Sequence, residues 1–158
     1  MKYAYYPGCS LHSTGQEFDK SLRSVCNVLG VELVEIEKWI CCGAAGAHNV
    51  SKLLATALPI ANLALLAEMG MDEVIVSCAE CFSKLKTAQH SVKNDKKLKR
   101  DVVKAIRKDC NEEAKVIHPL TIFAEEPLIS KIPTLVKRDL SGLKVVSYYG
   151  CLLTRPPK

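Results

Sequence analysis

Five cysteines drawn from three distant places set the strongest condition on how this chain folds: Cys9, the adjacent pair Cys41-Cys42, and the hook Cys78-x-x-Cys81, a spacing of C-x31-C-C-x35-C-x-x-C. Adjacent cysteines on an extended backbone point to opposite sides. Both reach one object only if the chain bends there, and Gly43 and Gly46 supply freedom for a bend. Thiols gathered in this way serve zinc or an iron–sulfur cluster. Zinc ordinarily takes four ligands in two short hooks, whereas this chain offers one hook and five candidates. A [4Fe–4S] cluster has one terminal site per iron, so four thiolates suffice and a fifth is spare, bridging or labile. Spacing leaves four and five ligands equally open and keeps zinc as the alternative.

The surrounding pattern alternates strand and helix. Lys2 to Tyr6 reads as a strand that meets a Pro7-Gly8 turn, with Cys9 at its C-terminal edge. From Thr14 the period becomes helical, with Phe18, Leu22, Val25, Cys26 and Leu29 on one face and Gly30 as the stop. Cys26 is thereby a core residue. Val31 to Ile36 is a second strand leading into the Cys41-Cys42 turn. Ser51 caps a helix running to Gly70, with a kink or break expected at Pro59. Glu73 to Ser77 is a third strand, and a helix opens at Cys78 to Cys81, where thiolates gain from unpaired N–H groups. Val92 to Asp109 is a helical pattern rich in Lys and Arg, read as a solvated face. Lys115 to His118 is a fourth strand, and Pro119 starts a helix that ends before a linker from Pro127 to Pro133. Cys110 falls in a turn with no partner at metal-hook spacing.

The predicted class is therefore α/β, a Rossmann-like parallel sheet with helices on both faces. Ligands in that architecture collect outside the carboxyl ends of the strands. Cys9, Cys78 and His118 fall at predicted strand ends and Cys41-Cys42 follows one, which places all five thiols at one rim of the sheet.

At 158 residues the chain suits one domain with a substantial core. Lys and Arg number 22 against 17 Asp and Glu, a net charge of +5. That bias suits an anionic small molecule or an acidic partner and is too slight to argue for nucleic acid. Eight cysteines without a secretory signal point to a reducing cytoplasm. The apolar run Leu53 to Ala67 contains Pro59 and Asn62 and is too short to span a bilayer, so it reads as a buried helix.

Near the end a repeat begins. Lys144-Val145-Val146-Ser147-Tyr148-Tyr149-Gly150-Cys151 echoes Lys2-Tyr3-Ala4-Tyr5-Tyr6-Pro7-Gly8-Cys9 at an offset of 142 residues. Residues 1–142 are thus expected to form one cysteine-rich domain, and 143–158 the start of a truncated second copy.

These residues carry a resemblance. Cys9, Cys41-Cys42-Gly43 and Cys78-x-x-Cys81 resemble the cysteine-rich CCG motif. The Cys-Cys-Gly-Ala-Ala-Gly core and the tail Tyr148-Tyr149-Gly150-Cys151-Leu152-Leu153-Thr154-Arg155-Pro156-Pro157 are similar to the B subunit of heterodisulfide reductase. The general motif is shared with succinate, glycolate, lactate and glycerol-3-phosphate oxidising systems, and the tail narrows the choice. The resemblance implies a non-cubane [4Fe–4S] cluster held by Cys9, Cys41, Cys42, Cys78 and Cys81. It implies a disulfide oxidoreductase of methanogenesis or a related metabolism, in which two facing clusters split the mixed disulfide of coenzyme M and coenzyme B, or a related one. Electrons would come through iron–sulfur flavoprotein and ferredoxin-like partner subunits. This chain has only Cys151 of a second motif, so it would supply one cluster and half of a substrate cleft, and the isolated fragment is expected to be inactive. The alternatives are a CCG-type electron-transfer subunit of a hydroxyacid or succinate oxidoreductase and a structural zinc module.

His48, just after the Cys-Cys-Gly turn, and His118, at a strand end, are candidates to hydrogen-bond cluster sulfur or to donate a proton to a leaving thiolate. The competing reading for each is an ordinary loop histidine.

Overall fold

A computed structural model describes residues 1–138, 141–148 and 150–155. In chain order the elements are β1 (Lys2–Tyr6), α1 (Gly8–Leu11), α2 (Gln16–Leu29), β2 (Glu32–Glu35), α3 (Ala44–Val50), α4 (Lys52–Glu68), β3 (Glu73–Val76), α5 (Ala79–Asn94), α6 (Lys96–Ile106), β4 (Lys115–Ile117), α7 (Pro119–Phe123), α8 (Leu128–Leu135) and α9 (Cys151–Thr154). The strands form one sheet in the order β2-β1-β3-β4. All its pairs are parallel, with Tyr3 opposite Leu33, Tyr5 opposite Ile75 and Val74 opposite Val116. The α/β class and the parallel sheet are as the alternation indicated.

The period-2 geometry of a strand divides the core in two. Tyr5, Ile75 and Ile117 face one layer with Leu22, Cys26 and Leu29 of α2 and with Ile122 and Leu128. Ala4, Tyr6, Val74, Val76 and Val116 face the other, against Ile60, Leu63 and Leu66 of α4, Phe82, Leu85 and Val92 of α5, and Val102 of α6. Leu63, Leu66 and Leu85 are at most 1% exposed, and burying each such side chain contributes about 1.5–3 kcal/mol. Cys26, at 1% exposure, is the core residue its helical position suggested, while Phe18 and Val25, expected on the same face, are exposed.

The strand order places the topological switch between β1 and β3. The chain leaves β1 toward β2 on one side and crosses back to β3 on the other, so the loops after β1 and β3 diverge and leave a crevice at their carboxyl ends. The residues that follow those two ends are Pro7-Gly8-Cys9 and Ser77-Cys78.

Several local expectations are corrected. The Cys41-Cys42 turn is followed at once by the short helix α3, which local sequence signals do not announce. Pro59 lies inside α4, which runs unbroken from Lys52 to Glu68 with Ser51 Oγ accepting from Leu54 N as its cap. Burial of the residues around Pro59 holds the helix through the one hydrogen bond proline forfeits. The basic segment is split at Asp95, whose extended backbone ends α5 and whose carboxylate caps α6, accepting from Lys97 N at 3.1 Å and Leu98 N at 2.9 Å. The expected linker from Pro127 to Pro133 is mostly helix α8. It is seated by Leu128, 2% exposed, and by Lys131 Nζ donating to Leu29 O at the end of α2.

The strand expected at the head of the second repeat does not form among the described residues. Val145, Val146 and Tyr148 are 78, 93 and 97% exposed, because no neighbouring strand is there to pair with them. Tyr149, Pro156 and Pro157 of the tail motif lie outside the described residues. Near the end α9 begins at Cys151, and its Leu153 packs against the core layer formed by α4, α5 and α6.

Candidate metal centre

Each predicted thiol has its own support. Cys9 sits on α1, a single turn that opens directly after β1. Cys78 is the residue before α5 and Cys81 lies in its first turn, and the Cys78 sulfur accepts from the unpaired amides of Glu80 and Cys81 at that helix end. Cys41 and Cys42 precede α3, and the bend between them and the helix is Gly43, at φ +86°. A Cβ there would stand 2.6 Å from Ala47 Cβ and 2.9 Å from Leu58 Cδ1, so only glycine passes. Gly46, expected to share this task, lies within α3 without a positive φ, and the bend rests on Gly43.

The five cysteines lie at the carboxyl edge of β1 and β3, where their sulfurs approach one another in pairs. Cys9 Sγ and Cys41 Sγ are 3.7 Å apart, and Cys42 Sγ and Cys81 Sγ are 3.3 Å apart. Cys78 hydrogen-bonds with Cys81 and with the Ser10 hydroxyl, which ties the hook to α1. Cys42 and Cys81 are buried, Cys78 is half-buried, and Cys9 and Cys41 are exposed. The phenol of Tyr6 stands beside four of the five, Cys81, Cys42, Cys41 and Cys9, and burial, with these neighbouring sulfurs adding, raises its pKa. Among the described residues no group of three or more His, Cys, Asp and Glu surrounds a single metal position, and the closest sulfurs stand as pairs.

The electrostatics favour thiolates at two of these positions. Cys78 is lowered to about 5, chiefly by the hydrogen bond from Cys81, with burial opposing and the amides of Cys81 and Glu80 assisting. Cys42 is lowered to about 7, again by Cys81, against burial and with the Ala44 amide helping. Cys81, sharing its proton with both, is pushed far up. Cys41 accepts from Gly43 N at 3.4 Å, but burial and the neighbouring sulfurs of Cys9 and Cys42 outweigh that bond and raise it. Soft, partly ionised sulfur at a helix N-terminus suits zinc or iron–sulfur binding.

The two histidines are placed differently from one another. His48 is exposed in the last turn of α3. His118 is 8% exposed and caps α7: its Nδ1 accepts from Leu120 N and its Nε2 faces Ser77 O at 3.3 Å. Both nitrogens are thus engaged by backbone, and burial lowers its pKa. The ring contacts Phe82 edge-on.

Two features beside the thiols are not evident from the sequence. Asn62, fully buried in α4, accepts from Ile40 N at 2.9 Å and donates to Ile40 O at 3.0 Å and Leu58 O at 3.1 Å, while Tyr6 Oη donates to the same Ile40 carbonyl at 2.8 Å. The residue before Cys41 is therefore bound at both polar groups. A signal for it exists, an asparagine inside an otherwise apolar run, which by itself argues only against a membrane span. The second is a polar chain. Tyr5 Oη donates to Asp19, Arg23 bridges Asp19 and Glu35, and Glu35 accepts from Trp39 Nε1 at 3.0 Å. It braces Trp39, which packs edge-on against both Tyr6 and His12.

The cysteine-rich domain family known as CCG matches residues 3–86, which hold all five thiols. The chain belongs to that family. It is 32% identical over 160 residues to the 8-methylmenaquinol:fumarate reductase membrane anchor subunit of Wolinella succinogenes, covering 99% of this chain and 55% of that one. It is 26% identical over 155 residues to a protein of Archaeoglobus profundus named as similar to the heterodisulfide reductase B subunit, covering 96% of this chain and 52% of that protein. It is 27% identical over 161 residues to the B subunit of the ferredoxin/F(420)H(2)-dependent CoB-CoM heterodisulfide reductase of Methanosarcina acetivorans, covering 99% and 53%. The resemblance to the B subunit therefore extends along nearly the whole chain. The CCG chain spans about half the length of these curated relatives. No helix among the described residues is long and apolar enough to cross a membrane.

Proposed function

We propose that this chain is the iron–sulfur-binding half of a heterodisulfide reductase B-like subunit and that Cys9, Cys41, Cys42, Cys78 and Cys81 hold one [4Fe–4S] cluster of the non-cubane type. The observation that carries the reading is that these five cysteines, from three separate segments, lie at the edge where β1 and β3 diverge, with their sulfurs in close pairs. Relatives named as B subunits of heterodisulfide reductases, matched along nearly the whole chain, and others named as iron–sulfur proteins support iron over zinc.

When bound, the cluster supplies one-electron transfer. The chain's own residues do the rest. The amides at the start of α5 favour thiolate at Cys78, and Cys81, which holds its proton between Cys42 and Cys78, would release it on serving as a ligand. Tyr6 walls the sulfurs from the core side, whereas Cys9 and Cys41 leave the outer side open. Disulfide reduction consumes two electrons and two protons and yields two thiols. A single site of this kind moves one electron, so the chain acts together with a second site and with iron–sulfur flavoprotein and ferredoxin-like partners.

Anaerobic reconstitution tests this reading. About four iron and four sulfide per chain are expected, and Cys42→Ala should abolish or alter the visible and paramagnetic spectra. A folded protein that takes up zinc but no iron overturns it.

The fumarate reductase relative favours a second reading, a CCG-type electron-transfer subunit serving a quinol-linked flavin dehydrogenase. Co-purification separates the two: a disulfide-reducing assembly in one case, a flavin dehydrogenase in the other.

A further inference from the structure

We infer that Asn62 is a positioning residue for the bound cluster, holding the peptide before Cys41 in the orientation that aims Cys41 and Cys42 at one group. The inference rests on the iron–sulfur reading above. Adjacent cysteines diverge on an extended chain, so the Cys41-Cys42 peptide must be held in a particular rotation for both sulfurs to serve one site. The rotation after Cys42 is set by Gly43 at φ +86°. The rotation before Cys41 is set by Ile40, whose N–H and carbonyl are both bound to Asn62.

The asparagine uses both ends of its amide. Its oxygen takes the Ile40 N–H, and its NH2 group donates to Ile40 O and Leu58 O. It sits at 0% exposure in a helix whose neighbouring Ile60 and Leu63 are equally buried. An apolar residue would fill that space at no desolvation cost. What asparagine adds is a rigid bond from the α4 core to the loop of the paired cysteines, 22 residues away in sequence. Tyr6 also donates to the Ile40 carbonyl and itself stands among the sulfurs, so the clamp and the site share a wall.

The test compares Asn62→Leu and Asn62→Asp with Leu85→Ala. Leu85→Ala opens a cavity in the same core layer and removes none of the hydrogen bonds to Ile40. In iron-free, reduced protein, alkylation of exposed Cys41 by iodoacetamide should accelerate on the order of tenfold in both Asn62 variants, since Asn62→Leu removes both hydrogen bonds to Ile40 and Asn62→Asp removes the one it donates. It should stay at the wild-type rate in Leu85→Ala. In reconstituted protein, the paramagnetic spectrum and midpoint potential should move in the Asn62 variants and remain in place in Leu85→Ala. Folded Asn62 variants that match wild type in alkylation rate, spectrum and potential, and differ only in melting temperature, overturn the inference. If wild type itself binds no iron, the functional reading falls, while the alkylation arm still decides whether Asn62 holds the loop. If Asn62→Leu fails to fold, Asn62→Asp, which keeps the acceptor and loses both donors, carries the same comparison.

Discussion

Gly8 and Cys81 approach so closely that a Cβ on Gly8 would stand 2.8 Å from the Cys81 sulfur. Gly8 is also left-handed, at φ +72°. Any side chain there costs about 1–2 kcal/mol for the backbone conformation and in addition displaces the buried thiol. Gly8→Ala should lower the melting temperature modestly and cut iron uptake sharply. Circular dichroism and iron analysis on the same preparation separate the two effects.

Thiol reactivity should follow the ionisation order. In iron-free, reduced protein Cys78, lowered to about 5, is thiolate at neutral pH, Cys42, lowered to about 7, is near its midpoint, and Cys26, raised by burial, is protonated. Alkylation mapped by mass spectrometry should show Cys78 labelling at a rate flat from about pH 6 to 8. Cys42 should rise across that interval and Cys26 should react last, because the thiolate is the nucleophile. Equal rates at Cys78 and Cys26 would contradict this assignment.

Asp95 links the α5–α6 break to acid stability. The Leu98 amide lowers its carboxyl pKa, desolvation opposes, and the ion pair with Lys52 adds to the lowering. A carboxylate depressed in the folded state stabilises it fully above the unfolded-state value of about 3.9 and loses that contribution as pH falls through the folded value. The melting-temperature gap between wild type and Asp95→Asn should therefore be constant above about pH 5 and change in the variant's favour toward about pH 3. Thermal denaturation of the iron-free protein across that range measures it.

Trp39 is the chain's sole tryptophan and its ring centroid lies 5.5 Å from that of Tyr6, whose hydroxyl stands beside the sulfurs. Iron loading should quench its fluorescence stoichiometrically, and apo-protein titrated with zinc should not show comparable quenching. Emission unchanged on full iron loading would place the iron elsewhere.

Most of the architecture was legible because it follows from short-range rules. Short apolar runs such as Val74-Ile75-Val76, helical spacing such as Leu22, Cys26 and Leu29, and the capping residue Ser51 each mark their element locally. The errors fell where tertiary contacts override local signals. Pro59 and Pro133 read as breakers, yet α4 is held by burial on the core and α8 by Leu128, half-buried Ile132 and the bond from Lys131 to Leu29 O. The segment 144–148 has a strand's composition and, among the described residues, no strand beside it to pair with. Asp95, in the midst of a basic helical pattern, caps a new helix because its own backbone is extended.

The sequence by itself determined which atoms could do chemistry here: the identity and spacing of the five thiols, and the strand ends near which they sit. Only the tertiary structure decided how those thiols are held. It paired Cys9 with Cys41 and Cys42 with Cys81, set Tyr6 among them, and tied Ile40 to Asn62. Spacing along a chain fixes which residues a strand or helix delivers to an edge. The rotation of each peptide at that edge is set by partners dozens of residues away, and those partners become neighbours only when the sheet and its helices pack.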